Sequence, residues 1–183
     1  MIPTLPLALR NRLAETILAA LHDERARTEL ASLATPEAAE RWLEGAERRW
    51  VWALTERARR AGAVLAGRPV RRAADLAATL EDAAELFDAG LHFEVHEILE
   101  PYWAAADGET REALQGLIQA AVGFQHLANG NLAGARSLLI EASQRLHGRR
   151  LLGRDLDGFA RAAAELAARV DAGEPVVPPA FPR

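Results

Sequence analysis

The 183-residue chain has no cysteine, only 5% aromatic residues, one methionine and one tyrosine. Without cysteine it forms no disulfide, no thiolate-ligated zinc or iron–sulfur centre and no thiol nucleophile, and the composition is that expected in a reducing compartment such as the cytoplasm. Lysine is also missing. All 22 basic residues are arginine, a pattern read as the codon usage of a GC-rich genome rather than selection for phosphate binding. The net charge of −4 argues against nucleic acid as a partner. Arginine outnumbers acid by 13 to 10 in residues 1–80 and is outnumbered 9 to 16 in residues 81–183, a mild asymmetry.

Long uninterrupted apolar runs are missing too. The opening stretch has no basic segment before its apolar residues and is broken by Arg10, Arg12 and Glu15, so it does not read as a secretory signal. Residues 113–135 carry no formal charge, yet Gln115, Gln119, Gln125, His126, Asn129 and Asn131 interrupt them. That stretch is too polar for hydrocarbon and reads as a buried helix with its turn, so no membrane partner is expected.

What is abundant is alanine, leucine, arginine and glutamate, without β-branched runs. This predicts an all-α protein with no strand: a bundle of stacked antiparallel hairpins carrying an N-terminal helical extension. A chain of this length buries roughly 70% of its unfolded surface, enough for a core without staples. Thr4 and Pro6 open a first helix to about residue 32, and Thr35 with Pro36 opens a second to about residue 66. In the second, Ala39, Trp42, Leu43, Ala46, Trp50, Ala53 and Leu54 form a packing stripe, with Arg48, Arg49, Arg59 and Arg60 off it. A short helix is expected near 71–77. Thr79 and Asp82 resemble a capping box that opens a helix to Gly90.

Helices over 91–106 (bent or restarted at Pro101), 109–128, 132–146 and 156–172 follow, separated at Asp107-Gly108, Asn129-Gly130-Asn131 and His147-Gly148. Gly90 and Gly130 each end one helix and precede another 40 residues apart, which suggests two tetratricopeptide-like hairpins. The expected organisation is residues 1–78 as a helical hairpin extension, 79–172 as the core and 173–183 as a proline-fixed extended tail. The extension is the candidate surface for a homo-oligomer.

The chemistry concentrates in residues 86–103. At about 100° per residue, Leu91, Val95, Ile98, Leu99 and Tyr102 share the core-facing arc. His96 and Glu100, one turn apart, sit at its margin between Phe93 and Trp103, with Glu97 further toward solvent. On the next helix Gln119 and His126 share a face, while Gly116, Ala120 and Gly123 form a small-residue strip. If the two helices pack antiparallel, His96 and Glu100 meet Gln119 and His126.

One reading is a divalent metal site, zinc or similar, with His96, Glu100 and His126 as ligands and Glu97 or water completing it. His-Glu-x-x-Glu is close to the zincin pattern His-Glu-x-x-His, in which the intervening glutamate is the general base. Glu97 is therefore the candidate catalytic base, and Phe93, Trp103 and Gln119 line the site. The other reading is a polar cluster that fixes helix packing and binds nothing. His92 reads as surface-facing or ancillary, and His22 and His147 as incidental.

Phe87, Gly90, Phe93, His96-Glu97-x-x-Glu100, Trp103, Gly116-Leu-Ile-Gln119-Ala120-Ala121, His126, Gly130-Asn131 and Gly134-Ala135 together resemble the DUF309 family of small bacterial and archaeal proteins, over about residues 80–147. The resemblance implies a small helical bundle of unestablished activity, sometimes labelled a metal-dependent hydrolase, with His96, Glu97, Glu100, Gln119 and His126 as its site. It implies no substrate and leaves residues 1–78 outside the shared core. Two functions follow as expectations: a metal-dependent hydrolase, or a non-catalytic helical interaction module whose protein partner the sequence does not name.

Overall fold

A computed structural model describes residues 4–70 and 75–183, and the chain divides into two compact units, Met1–Ala74 and Asp75–Arg183. Regular structure among the described residues is helical apart from one two-stranded hairpin.

In the first unit the helix expected from Thr4 to about residue 32 is two helices, α1 (Leu7–Ala20) and α2 (Glu24–Leu33). Asp23 interrupts them. It adopts an extended backbone, and its carboxylate accepts the N–H groups of Arg25 and Ala26 at 2.6 and 3.3 Å. A cap of this kind stabilises a helix start by about 1 kcal/mol, and it leaves Leu21, buried, at the corner.

The second expected helix is also divided. Thr35 and Pro36 do open α3 (Pro36–Trp42), but a 3-10 turn over Gly45–Trp50 separates it from α4 (Val51–Leu65). Glu44 and Glu47 form a reciprocal capping box there. Arg12 of α1 binds the break: it donates to Glu47 (2.9 Å) and to the Trp42 carbonyl (3.2 Å), with its guanidinium 4.0 Å from the Trp42 ring. The Glu44 N–H, and then Arg12, hold the Glu47 carboxyl below its ordinary range. The continuous stripe is therefore lost, and Ala46 is exposed while Ala39, Leu43, Ala53 and Leu54 are buried.

The second unit holds α5 (Leu76–Asp88), α6 (His92–Ala105), α7 (Gly108–Ala128), α8 (Leu132–Leu146) and α9 (Asp157–Asp171), each packed on the next. Of the short helix expected near 71–77, residues 71–74 lie outside the described residues and Leu76 already belongs to α5. Asp75, rather than Thr79, is the N-cap: its carboxylate accepts the Ala78 N–H at 2.9 Å. Thr79 lies one turn inside, buried, with its hydroxyl 3.0 Å from both the Asp75 carbonyl and Tyr102 Oη. Pro101 neither breaks nor restarts α6; it is exposed, so the hydrogen bond its nitrogen lacks is missing on the outer face.

Gly90 and Gly130 play the same part. Both have φ near +75°, their N–H groups bond to the Phe87 and Leu127 carbonyls (2.8 and 3.0 Å), and the next N–H groups bond to Leu86 and His126 (2.9 Å each). This is the Schellman termination, which needs a left-handed residue that glycine adopts freely. The small-residue strip of α7 faces α8: a Cβ added at Gly116 would lie 2.7 Å from Leu146, and one at Gly123 3.2 Å from Leu139.

At the centre of this unit Phe87 meets Phe124 and Phe159 edge-on, with ring centroids 5.6 and 5.7 Å away. The expectation of no strand fails at Arg150–Leu151 and Arg154–Asp155, which pair antiparallel. The turn between them, Leu152-Gly153, has positive φ at both residues (48° and 84°), the twist that favours tight hairpins. The tail has no regular structure but is tied down, since Phe181 is 2% exposed.

A half-exposed histidine between two glutamates

Leu91, which precedes α6, and Val95 and Leu99 within it lie in the core, and the helix turns His96, Glu97 and Glu100 outward. The four-residue spacing puts Glu100 on the face of His96, while Glu97, the next residue, reaches the imidazole from the side. Glu97 Oε1 lies 3.1 Å from His96 Nδ1, and Glu100 Oε2 lies 3.8 Å from Nε2. The three side chains are 29%, 33% and 51% exposed, so water reaches all of them. Among the described residues they form the group in which three potential ligand atoms lie within 4.8 Å of one another. Phe93 backs the imidazole, 6.2 Å away edge-on, and is itself 8% exposed.

His126 is not a member of that group. The group holds His96, Glu97 and Glu100, all on α6, and His126 lies on α7. Its partner is local: His126 Nδ1 is 2.6 Å from Asn131 Nδ2, while Asn131 Oδ1 accepts the Gly134 N–H at 3.0 Å as the cap of α8. With its oxygen fixed by the cap, the Asn131 amide turns its NH₂ to the imidazole. Nδ1 is therefore the acceptor of this pair. Gly134 leaves the room for this arrangement, because a Cβ there would lie 2.5 Å from Nδ1.

Gln119 faces α8 as well: its amide donates to Glu141 at 2.7 Å, and Ser137 donates to the other Glu141 oxygen at 3.2 Å. Trp103 is covered by the Arg111 guanidinium, 4.2 Å from its ring, and Arg111 donates to the Trp103 carbonyl at 2.8 Å, closing the end of α6. His92 is buried rather than surface-facing, 6% exposed with its ring 4.9 Å from Phe87 and 5.6 Å from Phe124. The first turn of α6 therefore starts inside the aromatic core, which periodicity counted from His96 does not reveal. Glu94, on the opposite side of α6 from His96, is fully buried, a placement that its charge alone does not suggest. His147 approaches Asp157 at 2.8 Å at the start of α9.

Residues 80–138 match the DUF309 family, a domain of unknown function. The DUF309 match begins in α5, takes in α6 and α7 whole and ends in α8, so it contains His96, Glu97, Glu100, Gln119, His126 and Gly134. It bears out the resemblance over about a third of the chain and leaves the first unit unmatched. No curated protein and no solved structure matches the chain. Among the described residues no helix is long and apolar enough to cross a membrane.

Proposed function

We propose that the DUF309 unit binds a divalent metal ion through His96 Nε2 and Glu100, zinc or a similar ion, and uses it in hydrolysis. The observation that carries this reading is the division of the imidazole between two carboxylates. Glu97, 3.1 Å from Nδ1, favours the tautomer with its proton on that side and leaves the Nε2 lone pair for a ligand bond. Carboxylates hold metal-binding histidines in this way. The Nε2 to Glu100 separation of 3.8 Å is close to the spacing of about 3.4 Å between two donors on one tetrahedral ion. One imidazole with carboxylate oxygens is a donor set that zinc and neighbouring divalent ions accept.

A bound ion of this kind lowers the pKa of its water toward neutrality. Glu97 is then a positioning residue for His96, and it becomes the base only if its carboxylate leaves Nδ1. The exposure of Glu100 leaves room on the solvent side for a substrate. Gln119 and His126 act on α8 packing and its cap, outside the ligand set. A second reading, a non-catalytic helical module with a structural polar cluster, draws on the matched Gly90 and Gly130 hairpin turns.

Thermal unfolding of tag-free protein separates the two readings. If a metal is bound, a chelator lowers the melting temperature and zinc restores it, because a ligand specific to the folded state stabilises by mass action. Identical melts with chelator, with zinc and untreated would leave the interaction module.

A further inference from the structure

The last three residues of the sequence are held as a peptide ligand is held. The Phe181 ring enters a slot between α5 and α9, with its centroid 5.3 Å from Phe87 and 6.1 Å from Phe159. Its backbone N–H donates to Asp88 at 2.9 Å, the Pro182 carbonyl accepts from Arg154 at 3.1 Å, and Arg183 reaches Asp88 at 2.7 Å and Glu85 at 3.3 Å. A ring, one backbone donor, one backbone acceptor and one cation are thus all read, on an extended segment that four prolines keep from forming helix or ladder. The tether behind it is held at its start, where Arg169 donates to Glu174 at 3.1 Å and to the Pro175 carbonyl at 2.7 Å, and is open further along. Glu174, Pro175, Val177 and Ala180 are exposed, Val177 at 79%, and Gly173 ends α9 with φ +71°.

We propose that the α5–α9 slot is a recognition site for an extended aromatic-proline-arginine peptide, occupied in this structure by the chain's own residues 181–183. Phe87 and Phe159 supply the floor that selects an aromatic ring. Asp88 reads the N–H and the cation together, and Arg154 fixes the direction of the peptide through the proline carbonyl. Such a docking reuses the low-entropy extended backbone that proline-rich ligands present to aromatic grooves. The site is independent of the proposed metal, because none of its residues belongs to the His96 group.

The test uses the full chain with Phe181→Ala and Arg183→Ala, which frees the slot, and a fluorescent peptide of residues 174–183 followed by anisotropy in chelator. Saturable binding to this variant is expected, at least tenfold tighter than to wild type, whose tail competes. It should be lost for the peptide carrying Phe181→Ala and weakened by adding Asp88→Asn to the protein. Equal binding of both peptides, or equal binding to wild type and variant, would overturn the proposal. Should the variant not fold, ¹⁵N-labelled wild type replaces it. Excess unlabelled peptide must then displace the Phe181 amide resonance where a scrambled peptide does not, and an unmoved resonance refutes the site.

Discussion

Glu97 Oε1 lies 3.1 Å from Nδ1 of His96, its neighbour in sequence. That contact, made within one turn of α6, occupies Nδ1 and leaves Nε2 facing Glu100 at 3.8 Å. It predicts unequal consequences for the two glutamates. Glu100→Gln should weaken metal binding most among the carboxylate changes, as loss of a ligand. Glu97→Gln should weaken it by about 10–100-fold, the usual effect of removing an orienting partner, and titration calorimetry with zinc on the two variants ranks them.

Gly134 and Gly62 are both helical glycines, but alanine should act on them with opposite sign. At Gly62 in α4 an added Cβ meets nothing within 4 Å, so Gly62→Ala should stabilise by about 0.4–1 kcal/mol through the unfolded chain. At Gly134 the Cβ would press on His126 Nδ1 at 2.5 Å and Asn131 Nδ2 at 2.6 Å. Gly134→Ala should therefore destabilise by roughly 1–3 kcal/mol, and denaturant titration of the pair reads the sign directly.

Leu152 is an exposed apolar residue, 58% accessible, held at φ 48°. A left-handed backbone costs an ordinary L-residue roughly 1–2 kcal/mol, whereas asparagine tolerates it and suits this turn before glycine. Leu152→Asn should raise stability by about 1 kcal/mol; an unchanged or lower melting temperature would show that the side chain makes a compensating contact.

Asp157 carries a pH dependence with a definite sign. The Gly148 N–H, then the Arg161 and His147 charges, hold its carboxyl below the ordinary range in the folded chain. Its contribution is thus complete above the unfolded carboxylate pKa and is lost as pH falls through the lower folded value. Between pH 7 and 3 the melting temperature of wild type should fall more steeply than that of Asp157→Asn, and parallel curves would remove Asp157 from the acid response.

The helices from α6 to α9 were legible because glycine and asparagine punctuate them at fixed places, and the structure keeps those places at Gly90, Gly130 and Gly173. The breaks at Asp23 and Glu44 were not, since each falls inside a stretch whose propensity is helical throughout. There a cap and an arginine brace outweigh continuation. The hairpin at residues 150–155 carries leucine where its turn favours asparagine, so its signal was silent.

At the candidate site, His96, Glu97 and Glu100 were legible together because their spacing within one helix fixes their proximity. His126 depended on the register between two helices, which the spacing within one helix does not supply. Its true neighbour, Asn131, was visible in the sequence only as a turn residue. His92 shows the same limit from the other side. Its burial against Phe87 follows from the Gly90 turn, which folds the first residues of α6 back onto α5.

The proposed ion rests on His96 Nε2 and Glu100. Elemental analysis of tag-free protein dialysed against equimolar zinc and then against metal-free buffer, run beside His96→Ala, tests it most directly. One ion per wild-type chain with none retained by His96→Ala is the predicted result. A wild-type chain without metal, or an His96→Ala chain that retains as much as wild type, would contradict it.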